Sequence, residues 1–184
     1  YPYDARGLVQ HEAGGHGFAK LADEYIYHAA WIQTCVCFCC EHVDGLMQMH
    51  NSGWGQNLSL DGKYLTVPWK HLINDNRFND IVDIYEGGYF HMRGVYRSEQ
   101  NSCMNNNVPY YSTWSRELIV QRIKMLAGET YSFDDFAAND SREWGKDFTK
   151  PTRSSQHFQP NVNAPRHGHA PIISASEPKR QVSK

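Results

Sequence analysis

The spacing of two histidines near the start of the chain constrains this sequence more than any other feature. His11 and His16 are five residues apart, Glu12 directly follows the first of them, and Asp23-Glu24-Tyr25 follows the second. Imidazoles and a carboxylate are ligands that zinc uses, and another carboxylate nearby can act as a base for a metal-activated water. The stretch that ends at Tyr25 therefore predicts a water-activating zinc site.

A regular α-helix would not bring these two histidines together. Side chains five residues apart differ by about 140° around an α-helix, whereas those four apart differ by about 40°. A one-residue π-bulge absorbs the surplus residue, and such bulges concentrate at functional sites. Gly14 and Gly15 lie where that distortion would fall. We expect a helix over about residues 5–22, with a π-bulge between His11 and His16.

The plain alternative is that the two histidines have unrelated structural roles. Against it, Glu12 adjoins the first histidine, and an acidic pair and a Ser-Cys-Met turn lie further along the chain. This combination of residues favours the metal site.

Charge and hydropathy argue against nucleic-acid binding and against a membrane-spanning segment. Eighteen Lys and Arg residues against 20 Asp and Glu residues give a net charge of −2, which is not the basic footprint of a nucleic-acid-binding protein. No apolar run approaches the roughly 18 residues of a membrane span. We therefore expect neither nucleic acid nor a transmembrane segment.

The 184 residues allow one domain with a core of its own. We expect a catalytic domain over residues 1–150 and an extended tail over residues 151–184, because the tail has few large apolar residues. The stretch from His11 to Tyr25, here called the zinc motif, begins only ten residues into the chain. A metal-binding helix needs a second layer of structure to pack against. We therefore expect the N-terminal part of the catalytic domain to be missing.

Four of the five cysteines crowd into six residues, at Cys35, Cys37, Cys39 and Cys40, while Cys103 stands alone. The crowding does not suit ordinary zinc ligation by thiolates, so disulfides or structural thiols are the preferred interpretation. Disulfides would suit an exported protein.

Three further segments carry local structure signals. Residues 58–60 and 63–67 flank Asp61-Gly62 and predict a β-hairpin. Residues 114–127 predict a helix that Ser112 or Thr113 caps and Gly128 ends, with Leu118, Ile119, Ile123 and Leu126 as its apolar stripe. Ser132 predicts the start of another helix.

The zinc motif resembles one known family. The string His11-Glu12-x-x-x-His16, followed by Leu21-Ala22-Asp23-Glu24-Tyr25, resembles the IgA-peptidase family of metallopeptidases, a metzincin-like group. That family has HExxH and then, seven residues on, an Asp; this chain keeps the step from His16 to Asp23 and lengthens only the interval between the histidines. An HExxxH helix also occurs in the dipeptidyl-peptidase III family.

The resemblance extends over about residues 9–123. The strings Glu86-Gly87-Gly88-Tyr89, Gly94-Val95-Tyr96-Arg97 and Ser102-Cys103-Met104 match the family's segment that runs into the Met-turn. In metzincins the methionine of that turn lies beneath the metal.

The resemblance implies the C-terminal part of an α+β, metzincin-like zinc peptidase domain. It implies these roles: His11 and His16 as zinc ligands, Glu12 as the general base, Asp23 as the third ligand with Glu24 as its alternative, and Met104 as the floor of the site. One position departs from several metzincins: Asn106 stands where they carry an oxyanion-stabilising tyrosine. Tyr96, Tyr110 and Tyr111 are nearby in sequence, but each is more simply a packed aromatic residue.

From these observations we expect a Zn²⁺-dependent endopeptidase acting on proteins or peptides, located outside the cell, at its surface or in the periplasm. A metallohydrolase acting on another amide is a variant of this expectation. The alternative class is a non-catalytic module that binds a glycan or a protein and keeps a peptidase-like metal site.

Overall fold

The computed structural model describes residues 5–26, 41–106 and 108–140. These residues form a mixed α+β structure, as expected. In chain order the elements are α1 (Ala5–Val9), the π-helix (Gln10–Ala19), α2 (Glu41–Asn51), β1 (Leu58–Ser59), α3 (Lys70–Asn74), β2 (Tyr85–Gly88), β3 (His91–Arg97), α4 (Cys103–Asn106), α5 (Thr113–Ala127) and α6 (Phe133–Asn139). The cysteine cluster at residues 35–40 and the tail at residues 151–184 lie outside the described residues.

Helix α1 continues directly into the π-helix, so the predicted departure from α-helical geometry is confirmed. It is wider than the expected one-residue bulge, because π-helical geometry extends over all ten residues from Gln10 to Ala19. The helix ends at Ala19 and not at about residue 22, because Lys20 adopts a left-handed conformation with φ 59°. The backbone N–H groups of Lys20 and Leu21 both donate to the Gly15 carbonyl and close this end.

The three strands form one antiparallel sheet in the order β1-β3-β2. Strand β3 is the central strand, and its Arg97 pairs with Leu58 of β1 on one side and with Tyr85 of β2 on the other. A register shift between Glu86 and Gly88 interrupts the second ladder. Gly87 and Gly88 therefore belong to β2 and lie at its register shift.

The predicted hairpin around Asp61-Gly62 is wrong. The Asp61 carboxylate accepts hydrogen bonds from the Lys63 N–H at 3.0 Å and from the Thr66 hydroxyl at 2.9 Å, which holds this segment as a loop. Gly62 lies against the Tyr96 ring, and a Cβ there would overlap it. The glycine thus serves close approach to β3, and β1 pairs with β3.

The turn between β2 and β3 consists of two aromatic residues in the left-handed region, Tyr89 with φ 45° and Phe90 with φ 66°. Non-glycine residues pay about 1–2 kcal/mol for this conformation. The turn is held from outside the sheet: the Tyr89 N–H donates to the Asp23 carbonyl at 2.9 Å, and the Phe90 N–H donates to the Tyr25 carbonyl at 3.1 Å. The turn is therefore docked on the segment that follows the π-helix.

Helix α5 begins and ends where the sequence predicts. The Ser112 hydroxyl caps its N-terminus by accepting from the Ser115 N–H, and Gly128 ends it in the left-handed region at φ 70°. The predicted apolar stripe is only partly right, because Ile123 and Leu126 are exposed while Trp114 and Glu117 are buried. Ser132 caps α6 as expected.

Three buried clusters hold these elements together. The largest packs α3 and residues 78–82 against α5 and α6, and a second joins Ala22 to α2 and the sheet. The third consists of Ala19, Leu21 and Met104, and it joins the end of the π-helix to α4 and α5. Met104 of this cluster lies against Gly15, which stands between the two histidines in the sequence. No helix within the described ranges is long and apolar enough to cross a membrane.

Candidate metal site

The π-helix and the segment that follows it bring three predicted ligands to one point. The Nε2 atoms of His11 and His16 are 3.1 Å apart, and the Oδ1 atom of Asp23 lies 2.9 Å from the first and 3.2 Å from the second. His11 is buried, whereas His16 and Asp23 are half-buried. Among the described residues this trio is positioned to hold a metal ion.

The other nitrogen of each imidazole is bound to the backbone. Nδ1 of His11 lies 2.9 Å from the Cys103 carbonyl, and Nδ1 of His16 lies 2.8 Å from the Leu21 carbonyl. A carbonyl oxygen only accepts hydrogen bonds, so each Nδ1 carries the proton. In the neutral imidazoles each Nε2 then bears a lone pair directed at the other ring and at Asp23, and an Nε2 donates a hydrogen bond to Asp23 only when its imidazole is protonated. Backbone or carboxylate partners of this kind are what orient metal-binding histidines.

Three lone-pair-bearing atoms at these separations repel one another unless a cation or a proton lies among them. Burial alone would raise the pKa of the Asp23 carboxyl, but hydrogen bonds from His11 and His16 outweigh it and lower that pKa to about 2. Burial alone would lower the pKa of His16, but Asp23, helped by the Leu21 carbonyl and the Glu12 carboxylate, raises it above its ordinary value. The cluster therefore attracts positive charge, and a proton competes with a metal for Nε2 of His16.

Gly14 and Gly15, where the distortion was expected, also allow close packing. A Cβ on Gly15 would collide with Sδ of the fully buried Met104, and a Cβ on Gly14 would collide with the Tyr111 hydroxyl. The Tyr111 hydroxyl also donates to the Gln10 carbonyl at the start of the π-helix. Met104 thus supports the helix at the turn between the two histidines.

The two other carboxylates of the motif have different environments. Glu12 is exposed, and its charge acts on His16. Glu24 is fully buried and faces away from the trio: it accepts hydrogen bonds from the Asn57 side chain at 2.9 Å and from the Ser102 hydroxyl. Burial raises the pKa of Glu24, although both hydrogen bonds oppose that rise. Asp23, and not its neighbour, therefore joins the histidines.

The three tyrosines considered as oxyanion donors have hydrogen bonds elsewhere. Tyr110 donates to Glu99 at 2.7 Å, Tyr111 donates to the Gln10 carbonyl, and Tyr96 lies 3.5 Å from the Glu86 carboxylate. None of these acceptors belongs to the trio.

Two residues near the trio have contacts that the sequence did not predict. The Tyr25 ring stacks on the His11 ring, with 6.3 Å between centroids, and contacts Phe90 edge-on. The position of Tyr25 in the string Leu21-Ala22-Asp23-Glu24-Tyr25 was the sequence signal that could have placed it near the histidines. Asn57 binds the backbone of Ala22, and no motif marked it.

A cavity of about 450 Å³ lies between α5 and α6. Its walls include Tyr111, Arg116 and Phe136, but none of the three ligand side chains. Arg116 is neutralised there by Asp140, with guanidinium and carboxylate 2.7 Å apart. The cavity is thus separate from the trio.

A scan against protein-family models finds no family that matches this chain, and a search of curated proteins finds no match.

Proposed function

We propose that this chain carries the active site of a zinc-dependent endopeptidase with a metzincin-like catalytic domain. The observation that carries the proposal is the convergence of two Nε2 lone pairs and one carboxylate oxygen. Two imidazoles and a carboxylate, with a fourth position open, form a ligand set used in catalytic zinc sites. Atoms bound tetrahedrally to zinc at 2.0–2.1 Å lie about 3.3–3.4 Å apart, close to the separations of 2.9, 3.1 and 3.2 Å in this trio.

The resemblance to the IgA-peptidase family supports the same assignment. Met104, which the resemblance implies as the floor of the site, lies buried against Gly15. The interval between His11 and His16 is one residue longer than in that family, and both histidines lie on the π-helix with their Nε2 atoms close together.

A zinc ion at this position would polarise the scissile carbonyl and lower the pKa of a bound water toward about 7. Glu12 would then take the proton of the attacking water and return it to the leaving amine. The exposed position of Glu12, next to His11 in the chain and within electrostatic reach of His16, suits both transfers. Asp23 supplies the negative charge that the two neutral imidazoles lack.

The test measures metal content and peptide hydrolysis on the full chain. We expect about one zinc per chain, hydrolysis that a chelator abolishes, and a fall in kcat of about 10²–10⁴-fold in Glu12→Gln with zinc retained. Glu129→Gln is the matched control, because Glu129 is exposed and pairs with Lys124 on α5. Full activity of Glu12→Gln with stoichiometric zinc would refute the mechanism.

Metal binding without hydrolysis of any member of a broad peptide library would point instead to the binding-module alternative. In that case Glu12→Gln would leave the binding of a glycan or protein unchanged. Hydrolysis of a non-peptide amide would keep the site and change only the substrate class.

A further inference from the structure

Asn57 binds both backbone groups of the residue that precedes Asp23. Its Oδ1 accepts from the Ala22 N–H at 2.7 Å, and its Nδ2 donates to the Ala22 carbonyl at 2.9 Å. Asn57 is fully buried, and Ala22 is 1% exposed. A side-chain amide that pairs with the N–H and the C=O of one residue holds that peptide segment in place from both sides.

The same amide also reaches the residue that follows Asp23. Its Nδ2 donates to Oε1 of Glu24 at 2.9 Å, and the other carboxylate oxygen of Glu24 accepts from the Ser102 hydroxyl. The Glu24 N–H donates to the Met104 carbonyl at 2.8 Å. The backbone is therefore fixed immediately before and immediately after Asp23.

Every hydrogen bond of the Asn57 side chain in the described structure goes to this segment. Both N–H groups of an amide donate once here, and its oxygen accepts once, which leaves only one acceptor position of the side chain unused. The side chain touches neither histidine through these bonds. Its hydrogen bonds thus act on the third ligand and not on the first two.

We propose that Asn57 is a positioning residue of the metal site, which holds the Asp23 carboxylate within reach of both imidazole Nε2 atoms. The inference rests on the metal site proposed above. Asn57 is not a ligand; it acts through the backbone on either side of the ligand. Partners outside the ligand set typically change metal affinity by about 10–100-fold when they are removed.

The substitution that tests this is Asn57→Asp, which keeps the shape of the side chain. The new oxygen would face the Ala22 carbonyl, which only accepts hydrogen bonds, and would put a second carboxyl group against Glu24, so the clamp would lose its Nδ2 hydrogen bonds. We expect the Kd for Zn²⁺, measured with a chromophoric competitor on the full chain, to weaken about 10–100-fold. We also expect a changed visible absorption spectrum of the Co²⁺-substituted protein, which reports ligand geometry.

Ser59→Ala is the matched control. Ser59 is buried two residues further along the same segment, and its hydroxyl bonds to the backbone of Asp61, at 2.8 and 3.1 Å, and to no other group of the described residues. This variant is expected to lose stability in urea while keeping the wild-type Kd and Co²⁺ spectrum. A purely structural role of Asn57 would give the same result as this control.

The outcomes separate the two proposals. Wild-type protein that binds no Zn²⁺ overturns the metal site and this inference with it. Wild-type binding together with an unchanged Kd and spectrum in folded Asn57→Asp overturns this inference alone. If Asn57→Asp does not fold by circular dichroism, Asn57→Ser is measured in the same way; failure of both to fold overturns the inference, because Asn57 would then serve the fold as a whole.

Discussion

At the scale of single residues, the contact between Gly15 and Met104 limits how closely the π-helix approaches α4. Any side chain at residue 15 would meet Sδ of Met104, and the methionine is fully buried. Interiors packed to this density respond to a single added carbon. The zinc motif therefore depends on a glycine that has no part in the chemistry.

We expect Gly15→Ala to lower the free energy of unfolding by about 1–3 kcal/mol, which is the usual cost of overpacking. Urea denaturation of the metal-free chain measures it. Gly45→Ala is the control, because a Cβ at this site in α2 would lie 3.7 Å from the Tyr89 hydroxyl, an ordinary contact. The control is expected to be neutral or more stable, since alanine favours a helix. Equal stability of both variants would contradict the packing argument.

The choice between Asp23 and Glu24 shows why residue types alone left the ligand set open. Asp23 lies against the histidines, whereas the Glu24 carboxylate is hydrogen-bonded to Asn57 and Ser102. Which of the two carboxylates joins the histidines depends on Asn57 and Ser102, and these lie 33 and 78 residues away from Glu24 along the chain. Contacts over such distances leave no trace in a local pattern. The histidines were predictable because their spacing is local.

At the scale of elements, local signals predicted the caps of α5 and α6 but not the pairing of the strands, and helix α2 was not predicted. The caps at Ser112, Gly128 and Ser132 are confirmed because a cap depends on the few residues around it. The hairpin at Asp61-Gly62 is wrong because β1 finds its partner in β3, and residues 63–67 form a loop. A strand needs a distant partner, which sequence propensity does not identify.

We expect Ser112→Ala to destabilise the protein by about 1 kcal/mol, within a usual range of 0.5–2 kcal/mol for a lost N-cap. The Ser112 hydroxyl accepts from the Ser115 N–H and donates to the Ser115 hydroxyl at 2.9 Å, and both serines are fully buried. The urea midpoint is expected to fall with an unchanged m-value. Ser132→Ala, at the less buried start of α6, is expected to cost less; the reverse order would argue against burial as the cause.

At the scale of the whole molecule, a bound metal would couple the helix to the segment that carries Asp23. A ligand that binds only the folded chain stabilises it by about 2.7 kcal/mol at a concentration of one hundred times Kd. For a domain of this size that corresponds to a rise in Tm of roughly 5–10 °C. Without the metal, only hydrogen bonds and packing join these parts.

We expect EDTA to lower the Tm of the zinc-loaded chain by that amount, as measured by circular dichroism. His16→Asn is the matched variant, because it removes one Nε2 ligand at a half-buried position. Its Tm is expected to be the same with zinc and with EDTA. A shift of equal size in this variant would mean that zinc stabilises the chain through other residues.

The left-handed Tyr89-Phe90 turn has a consequence for the order of folding. Two large residues at positive φ do not nucleate a hairpin, so β2 and β3 close only after residues 23–25 are in place to accept the two turn N–H groups. The turn then forms late, and substitutions in it change the unfolding rate more than the folding rate. Phe90→Gly, a substitution in this late-forming turn, is therefore expected to change the unfolding rate and to leave the refolding rate nearly unchanged in stopped-flow measurements.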